Sequence, residues 1–187
     1  MRVIAGSRRS IPLQSVDGMA TRPTQDRIKE TLFNVIQNYI PGCTFLDLYA
    51  GSGQMAIEAL SRGAVSAVLV DSGREPKKVI EKNLEKTKFT EEARLYTSAV
   101  LSFVSTASPD RPFDIIYMDP PYDLHEENAV LEKIIERNLL AENGQIIVEA
   151  RLDNNFYEKV PAGLVVTRVK DYKTNRHVFL KRAGEES

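Results

Sequence analysis

One cysteine, Cys43, and two histidines, His125 and His177, are all that the 187-residue chain has of the residue types that build disulfides and most transition-metal sites. A lone cysteine closes no internal disulfide, which suits a reducing, cytoplasmic compartment. So few soft ligands give no basis for a metal centre, and none is expected. No stretch is apolar over the roughly 20 residues of a membrane span. The first residues hold no hydrophobic run of signal-peptide length, and Arg8-Arg9 is followed by none. Internal repeats and low-complexity linkers are also lacking. The formal net charge is only -1, so the chain as a whole is no polycation. The charge is nevertheless uneven. Arg2, Arg8, Arg9, Arg22, Arg27 and Lys29 crowd the first thirty residues, and Arg151, Lys159, Arg168, Lys170, Lys173, Arg176, Lys181 and Arg182 the end. Two basic ends brought onto one side would meet a polyanion; ordinary solvated surface is the plainer alternative.

What the chain does have is enough apolar content, 42% hydrophobic residues, for one core. A single domain is expected over 1–187, with a basic β-hairpin over 1–20 and a catalytic core over 22–182. In the hairpin, Val3-Ile4 and Ile11-Leu13 would flank a turn at Gly6-Ser7. A helix would follow Arg22-Pro23, with Thr24 as N-cap and Ile28, Leu32, Val35, Ile36 and Tyr39 on its inner face. Beyond it, strand and helix patterns alternate. Strands are expected over 44–49, 67–70, 93–96, 113–118 and 145–149, and helices over 54–62, 76–86, 101–105 and 126–140. A closing hairpin over 164–172 and 177–181 would turn at Lys173-Thr174-Asn175. This order predicts an α/β fold: a seven-stranded, mostly parallel, Rossmann-like sheet with helices on both faces and a C-terminal antiparallel hairpin.

Two turns carry the chemistry. Asp119-Pro120-Pro121-Tyr122 follows the apolar run 113–118. Paired prolines stop a strand, because neither can donate to the ladder. They leave a stiff turn at a strand's carboxyl end, where open α/β sheets bind ligands. A carboxylate, free carbonyls and an aromatic face suit a planar, amine-bearing ring. The other turn, Ala50-Gly51-Ser52-Gly53, joins a strand to a helix and fits the general nucleotide-binding pattern. Asp71, about twenty residues on, is placed to accept ribose hydroxyls. Asp47 precedes the glycines as an anionic lip, and no lysine or arginine lies between Phe45 and Leu60 to neutralise phosphate. Such a pocket favours a cationic nucleoside over a pyrophosphate. S-adenosylmethionine fits, and NAD fits less well. Each residue also has a plain structural reading: the glycines as turn formers, Asp47 and Asp71 as caps, Tyr122 as surface packing.

Phe45-Leu46-Asp47-Leu48-Tyr49-Ala50-Gly51-Ser52-Gly53, with Asp71 and Asp119-Pro120-Pro121-Tyr122, resembles the class I methyltransferases that modify exocyclic or amide nitrogens. Arg22-Pro23-Thr24-Gln25-Asp26-Arg27-Ile28-Lys29-Glu30-Thr31-Leu32-Phe33-Asn34, preceded by Arg2-Val3-Ile4-Ala5-Gly6, is similar to the bacterial 16S rRNA guanine-N2 methyltransferase family, RsmD. The resemblance runs from Arg2 to about Leu180. It implies methyl transfer to the N2 of a guanine in small-subunit rRNA, at the family's guanine-966 site, as free RNA or in a ribosomal particle, by a monomer. It assigns Asp119, Pro120, Pro121 and Tyr122 to catalysis. Arg22, Thr24, Asp47, Tyr49, Gly51, Ser52, Gly53, Asp71, Ser72, Ala99 and Val100 go to S-adenosylmethionine, and Arg2, Arg8, Arg9 and Arg22 to RNA. Ser98 stands where such enzymes often have an acid, which leaves adenine recognition to the backbone of Ala99 and Val100. The N-terminal hairpin is also less basic than the resemblance implies. The rivals are adenine-N6 methylation of DNA or RNA, a non-catalytic RNA-binding protein, and an NAD-dependent oxidoreductase. The last is disfavoured by Asp47 and by the lack of a His/Lys pair for hydride transfer.

Overall fold

The computed structural model describes residues 1–16 and 23–184, and in the first helix the side chains from Asp26 onward. The elements run α1 (Pro23–Val35), β1 (Thr44–Leu48), α2 (Gln54–Ser61), β2 (Ser66–Asp71), α3 (Arg74–Thr87), β3 (Ala93–Thr97), α4 (Val100–Thr106), β4 (Phe113–Met118), α5 (Glu127–Glu136), β5 (Leu140–Arg151), β6 (Leu164–Asp171) and β7 (Asn175–Arg182). One seven-stranded sheet has the order β3-β2-β1-β4-β5-β7-β6. The first five strands are parallel, and β7 runs antiparallel to both its neighbours.

The central strands are apolar runs because both their faces are covered. All five residues of β1 are buried. On one face Phe45, Ile115, Tyr117, Ile147 and Phe179 pack with Phe33 and Ile36 near the end of α1 and with Ile57 and Leu60 of α2. On the other, Leu46, Leu48, Ile116, Met118 and Val148 meet Val104 of α4 and Val130, Leu131 and Ile134 of α5. Each fully buried side chain of this size stabilises the fold by roughly 1.5–3 kcal/mol. Strand order reverses between β1 and β4, so the connections leaving their carboxyl ends part to opposite sides and open a crevice. Both predicted turns lie there.

Several sequence expectations shift. Pro23 is the first helical residue of α1, so Thr24 sits inside the helix and is not its N-cap. Tyr39 is 50% exposed and belongs to a short 3-10 turn, whereas Phe33, not expected in the core, is fully buried. The helix expected over 126–140 ends at Glu136; Asn138 turns left-handed (φ 53°) and Leu140 already pairs with Phe113. β5 is therefore twelve residues long, with a register shift against β4 that absorbs its polar start.

The N-terminal segment is a minimal antiparallel hairpin docked as an arm. Arg2 bridges Pro12, and Val3 N–H, Ser10 N–H and Leu13 N–H donate across it to Ile11 O, Val3 O and Met1 O at 3.0, 2.9 and 3.1 Å. Polar groups of the core satisfy more of its backbone. Glu58, in the middle of α2 and fully buried, accepts the Ile4 and Ala5 N–H groups at 2.8 and 3.0 Å. Arg62 Nε (2.8 Å) and Lys29 Nζ (3.6 Å) balance its charge. Ser61 donates to Ala5 O and accepts from Arg8 N. Gly6 is required: it has φ +83°, and a Cβ there would meet Ser61 O at 1.8 Å.

Candidate active site

β4 delivers the Asp119 turn and β1 the glycine turn from adjacent strands: Asp119 N–H donates to Leu48 O, at the end of β1, at 3.4 Å. Pro120 is buried, Pro121 and Tyr122 are exposed, and Pro121 O accepts Leu124 N–H at 3.0 Å, closing the turn. The Asp119 side chain opens to solvent, yet the crevice around it is crowded. Loss of water, then the charges of Glu149 and Asp47, push its carboxyl well above the usual range. Burial and the charges of Asp119 and Glu149 push the Tyr122 phenol up to about 12, so it stays protonated. The Arg151 guanidinium lies 5.8 Å from the centre of the Tyr122 ring and is held by Asp153 at 3.0 and 3.1 Å.

The glycine turn is tightly braced. Asp71, ending β2, reaches back to accept Gly51 N–H at 2.9 Å, and its second oxygen accepts Gly73 N–H at 2.8 Å. Tyr49 adopts a left-handed conformation (φ 62°), uncommon for an aromatic residue, and donates to Glu126 at 3.0 Å. Ala99 precedes the first turn of α4, where the N–H of Val100 has no partner within the helix. Ser72 is exposed beside Asp71.

Three assignments change in detail. Asp47 is 1% exposed and accepts Ala56 N–H at 3.1 Å, so it anchors the start of α2 from behind the turn and forms no anionic lip. Burial pushes its carboxyl up to about 8, with Asp71 adding and the Ala56 bond opposing. Gly53 faces the core: a Cβ would press on Leu69 Cδ2 at 2.9 Å, so this glycine serves the packing of the turn on β2. Ser52 is buried, and its hydroxyl faces Met1 Sδ at 3.6 Å. Arg22 lies outside the described residues, as does the side chain of Thr24. Among the arginines expected to bind RNA, Arg8 is pinned by donation to Thr87 O at 2.7 Å and by stacking 5.1 Å over Phe89. Arg2 and Arg9 are exposed and line a cavity of about 340 Å³ shared with Arg27, Asp26 and Glu30.

Sequence reasoning missed the floor of the crevice. Glu149 of β5 lies beside Asp119 and accepts from Tyr117 Oη (2.6 Å), from His177 Nε2 (3.2 Å) and from Asn175 Nδ2. The signal was an acidic residue closing an otherwise apolar strand. It also missed Asn83, fully buried on α3, which binds the backbone of Gln14 in both directions and donates to Ser52 O at 2.9 Å. Arm and glycine turn thus share one side chain. Among the described residues no group of acidic, histidine or cysteine side chains could hold a metal, and no helix is long and apolar enough to cross a membrane.

Comparison with known proteins adds a second line. A family model described as "Conserved hypothetical protein 95" matches residues 1–181. The chain is 37% identical over 185 residues to "Putative rRNA methyltransferase YlbH" of Bacillus subtilis, covering 98% of this chain and 100% of that one. It is 36% identical over 176 residues to "Ribosomal RNA small subunit methyltransferase D" of Escherichia coli, covering 91% and 84%. A solved structure described as "Putative methyltransferase yhhF" from Escherichia coli superposes with a TM-score of 0.84 at 31% identity, over 99% of each chain.

Proposed function

We propose, from the premise that this chain belongs to the conserved hypothetical protein 95 family, the RsmD-type ribosomal RNA methyltransferases, that it methylates the exocyclic N2 of a guanine in 16S rRNA. The family's guanine-966 site is the target we favour. The observation that carries the reading is the adjacency of the two turns, an amine-gripping motif leaving β4 beside a nucleoside-binding one leaving β1, with Asp119 N–H bonded to Leu48 O at the end of β1.

The residues present fit S-adenosylmethionine. Asp71 lies at the mouth of the turn, and Glu149, whose carboxyl its hydrogen bonds hold low against the cost of burial, makes the crevice negative. No lysine or arginine occurs between Phe45 and Leu60 to greet a phosphate. A cationic nucleoside suits that potential. Asp71, Ser72 and the backbone of Gly51, Ala99 and Val100 would hold it. When bound, the cofactor supplies an electrophilic methyl group on a cationic sulfur.

The chain's own work is to present the amine. A guanine amino group is a poor nucleophile, because its lone pair is delocalised into the ring. Asp119 and the Pro120 carbonyl would accept its two N–H groups, fixing the nitrogen toward the methyl group. Tyr122 would stack on a base turned out of its helix or loop. Positioning and charge complementarity supply most of the rate. As the nitrogen gains a methyl group it loses one proton, which Asp119 is placed to receive or pass to water. Basic residues of the arm, with Arg151, would meet the RNA backbone.

Transfer of labelled methyl groups to unmodified small subunits, beside cofactor binding by calorimetry, tests this reading. The Asp119→Ala variant is expected to lose at least 100-fold in turnover while keeping cofactor affinity within about threefold. Full turnover in that variant would refute the role given to Asp119.

A further inference from the structure

Glu149 continues the register in which Tyr117 pairs with Ile147 and Met118 with Val148, which sets it beside Asp119 on the neighbouring strand. Side chains of parallel neighbours in register point to one face. Across β7, Glu149 pairs directly with His177. One row at the mouth of the crevice therefore reads Asp119, Glu149, His177.

Three donors fix the Glu149 carboxylate. Among the described residues, its Oε2 accepts from Tyr117 Oη and His177 Nε2, and its Oε1 only from Asn175 Nδ2. His177 is 1% exposed and, among the described residues, its Nδ1 is buried without a partner, so the proton it holds belongs on Nε2, where it donates to Glu149. Glu149 is thereby an ionised acceptor, in accord with the lowering of its carboxyl by these bonds against the cost of burial. An ionised carboxylate has about four acceptor directions; three are used, and the side chain remains 18% exposed. One direction, on Oε1, is left for a ligand.

We propose that Glu149 is the specificity-determining residue of this site: its free Oε1 lone pair accepts the N1–H of the target guanine while Asp119 and Pro120 hold the N2 amine. This rests on the guanine-N2 reading above. On guanine, N1–H and N2–H are neighbouring donors on one edge, and two carboxylates on adjacent strands match them. Adenine presents at the corresponding edge an amine beside an unprotonated ring nitrogen. That nitrogen would face the fixed carboxylate lone pair to lone pair, and a site built to accept a proton rejects a base lacking it strongly. The Asp-Pro-Pro-Tyr turn serves any exocyclic amine, whereas Glu149 serves only one flanked by N–H.

The test uses 2-aminopurine, which keeps the N2 amine but has no proton on N1. Small subunits are reconstituted from RNA with guanine or 2-aminopurine at the position the wild-type enzyme methylates, and kcat/KM is measured on each. Wild type is expected to prefer guanine by about 100-fold or more. Glu149→Gln, whose amide can donate to a bare N1, is expected to lose at least 30-fold on guanine, to keep or gain activity on 2-aminopurine, and to bind cofactor as wild type does. A merely structural role would lower both substrates alike, and an unchanged preference in Glu149→Gln overturns the proposal. So does a wild-type preference below threefold, which needs no variant. Wild-type transfer to adenine instead of guanine would overturn the underlying reading, and the proposal with it; guanine methylation without N1 discrimination overturns the proposal alone.

Discussion

Asp71 Oδ2 accepts the Gly51 N–H at 2.9 Å, tying the end of β2 to the glycine turn that follows β1. With its other oxygen on Gly73 N–H, this carboxylate shapes both loops that would flank a ribose. Asp71→Ala removes the brace and the hydroxyl acceptor together. Cofactor affinity is expected to fall by tenfold or more, with a smaller loss for Asp71→Asn, which keeps one acceptor oxygen. Calorimetric titration with S-adenosylmethionine checks this; unchanged affinity in Asp71→Ala would remove Asp71 from the site.

Glu58 is the anchor of the N-terminal arm, and Lys29 at 3% exposure depends on it for its charge. Burial lowers the Lys29 pKa while the Glu58 charge opposes that shift. Removing one partner of such a pair strands the other, at a cost of about 3–5 kcal/mol. Glu58→Ala is therefore expected to lower the urea midpoint sharply, and Glu58→Gln, which removes the same charge and keeps an acceptor for only one of the Ile4 and Ala5 N–H groups, by nearly as much. A Glu58→Gln variant that loses less than half as much as Glu58→Ala would show that charge balance is not what Glu58 supplies.

Gly6→Ala probes the arm without touching the crevice. The added methyl cannot coexist with Ser61 O at 1.8 Å, so the arm must lift from α2. RNA affinity is expected to drop at least fivefold, with cofactor affinity falling only as far as the Gln14–Asn83–Ser52 link transmits the shift. Filter binding and calorimetry on the same preparation separate the two. Wild-type RNA affinity would place the RNA elsewhere.

The exposed arm arginines, Arg2 and Arg9, are expected to act through phosphate. Each Ala substitution should weaken RNA binding across sequences and reduce the slope of log K against log salt by about 0.7–0.9. Arg8, spent on Thr87 O and Phe89, should instead affect stability. A salt slope equal to wild type in the Arg2→Ala, Arg9→Ala double variant would contradict contact there.

Asp47 makes stability depend on pH in an unusual direction. Its folded-state pKa of about 8 exceeds the ordinary 3.8. Between those values the folded protein holds a proton that the unfolded chain has released, so its contribution falls as pH rises from about 4 to 8. Asp47→Asn, which can still accept from Ala56 N–H, is expected to flatten that dependence and to raise the melting temperature at pH 8. Melting curves between pH 5 and 8.5 decide; an Asn variant as pH-dependent as wild type would contradict a neutral buried Asp47.

The sheet was readable because each buried strand is an apolar run bounded by turn residues; 113–118 and the two turns after β1 and β4 fell where expected. The Asp119 and Gly51 turns were readable for the same reason, since proline and glycine constrain backbone locally. Glu149, His177, Asn83 and Glu58 were not. Each acts through partners 26 to 69 residues away, across strands or between the arm and a helix, and no local pattern marks such pairs. Asp47 shows the converse limit. It lies before the glycines at the end of β1, but burial removes the charge on which an anionic lip depends.

The most direct measurement is the identity of the methylated nucleoside. Unmodified small subunits, naked 16S rRNA and duplex DNA are incubated with S-adenosylmethionine and the wild-type protein, digested, and examined by mass spectrometry. N2-methylguanosine is expected from ribosomal RNA and no methylated nucleoside from DNA. N6-methyladenine from either RNA or DNA, or no methylated nucleoside from a protein that binds the cofactor, would contradict guanine-N2 methylation.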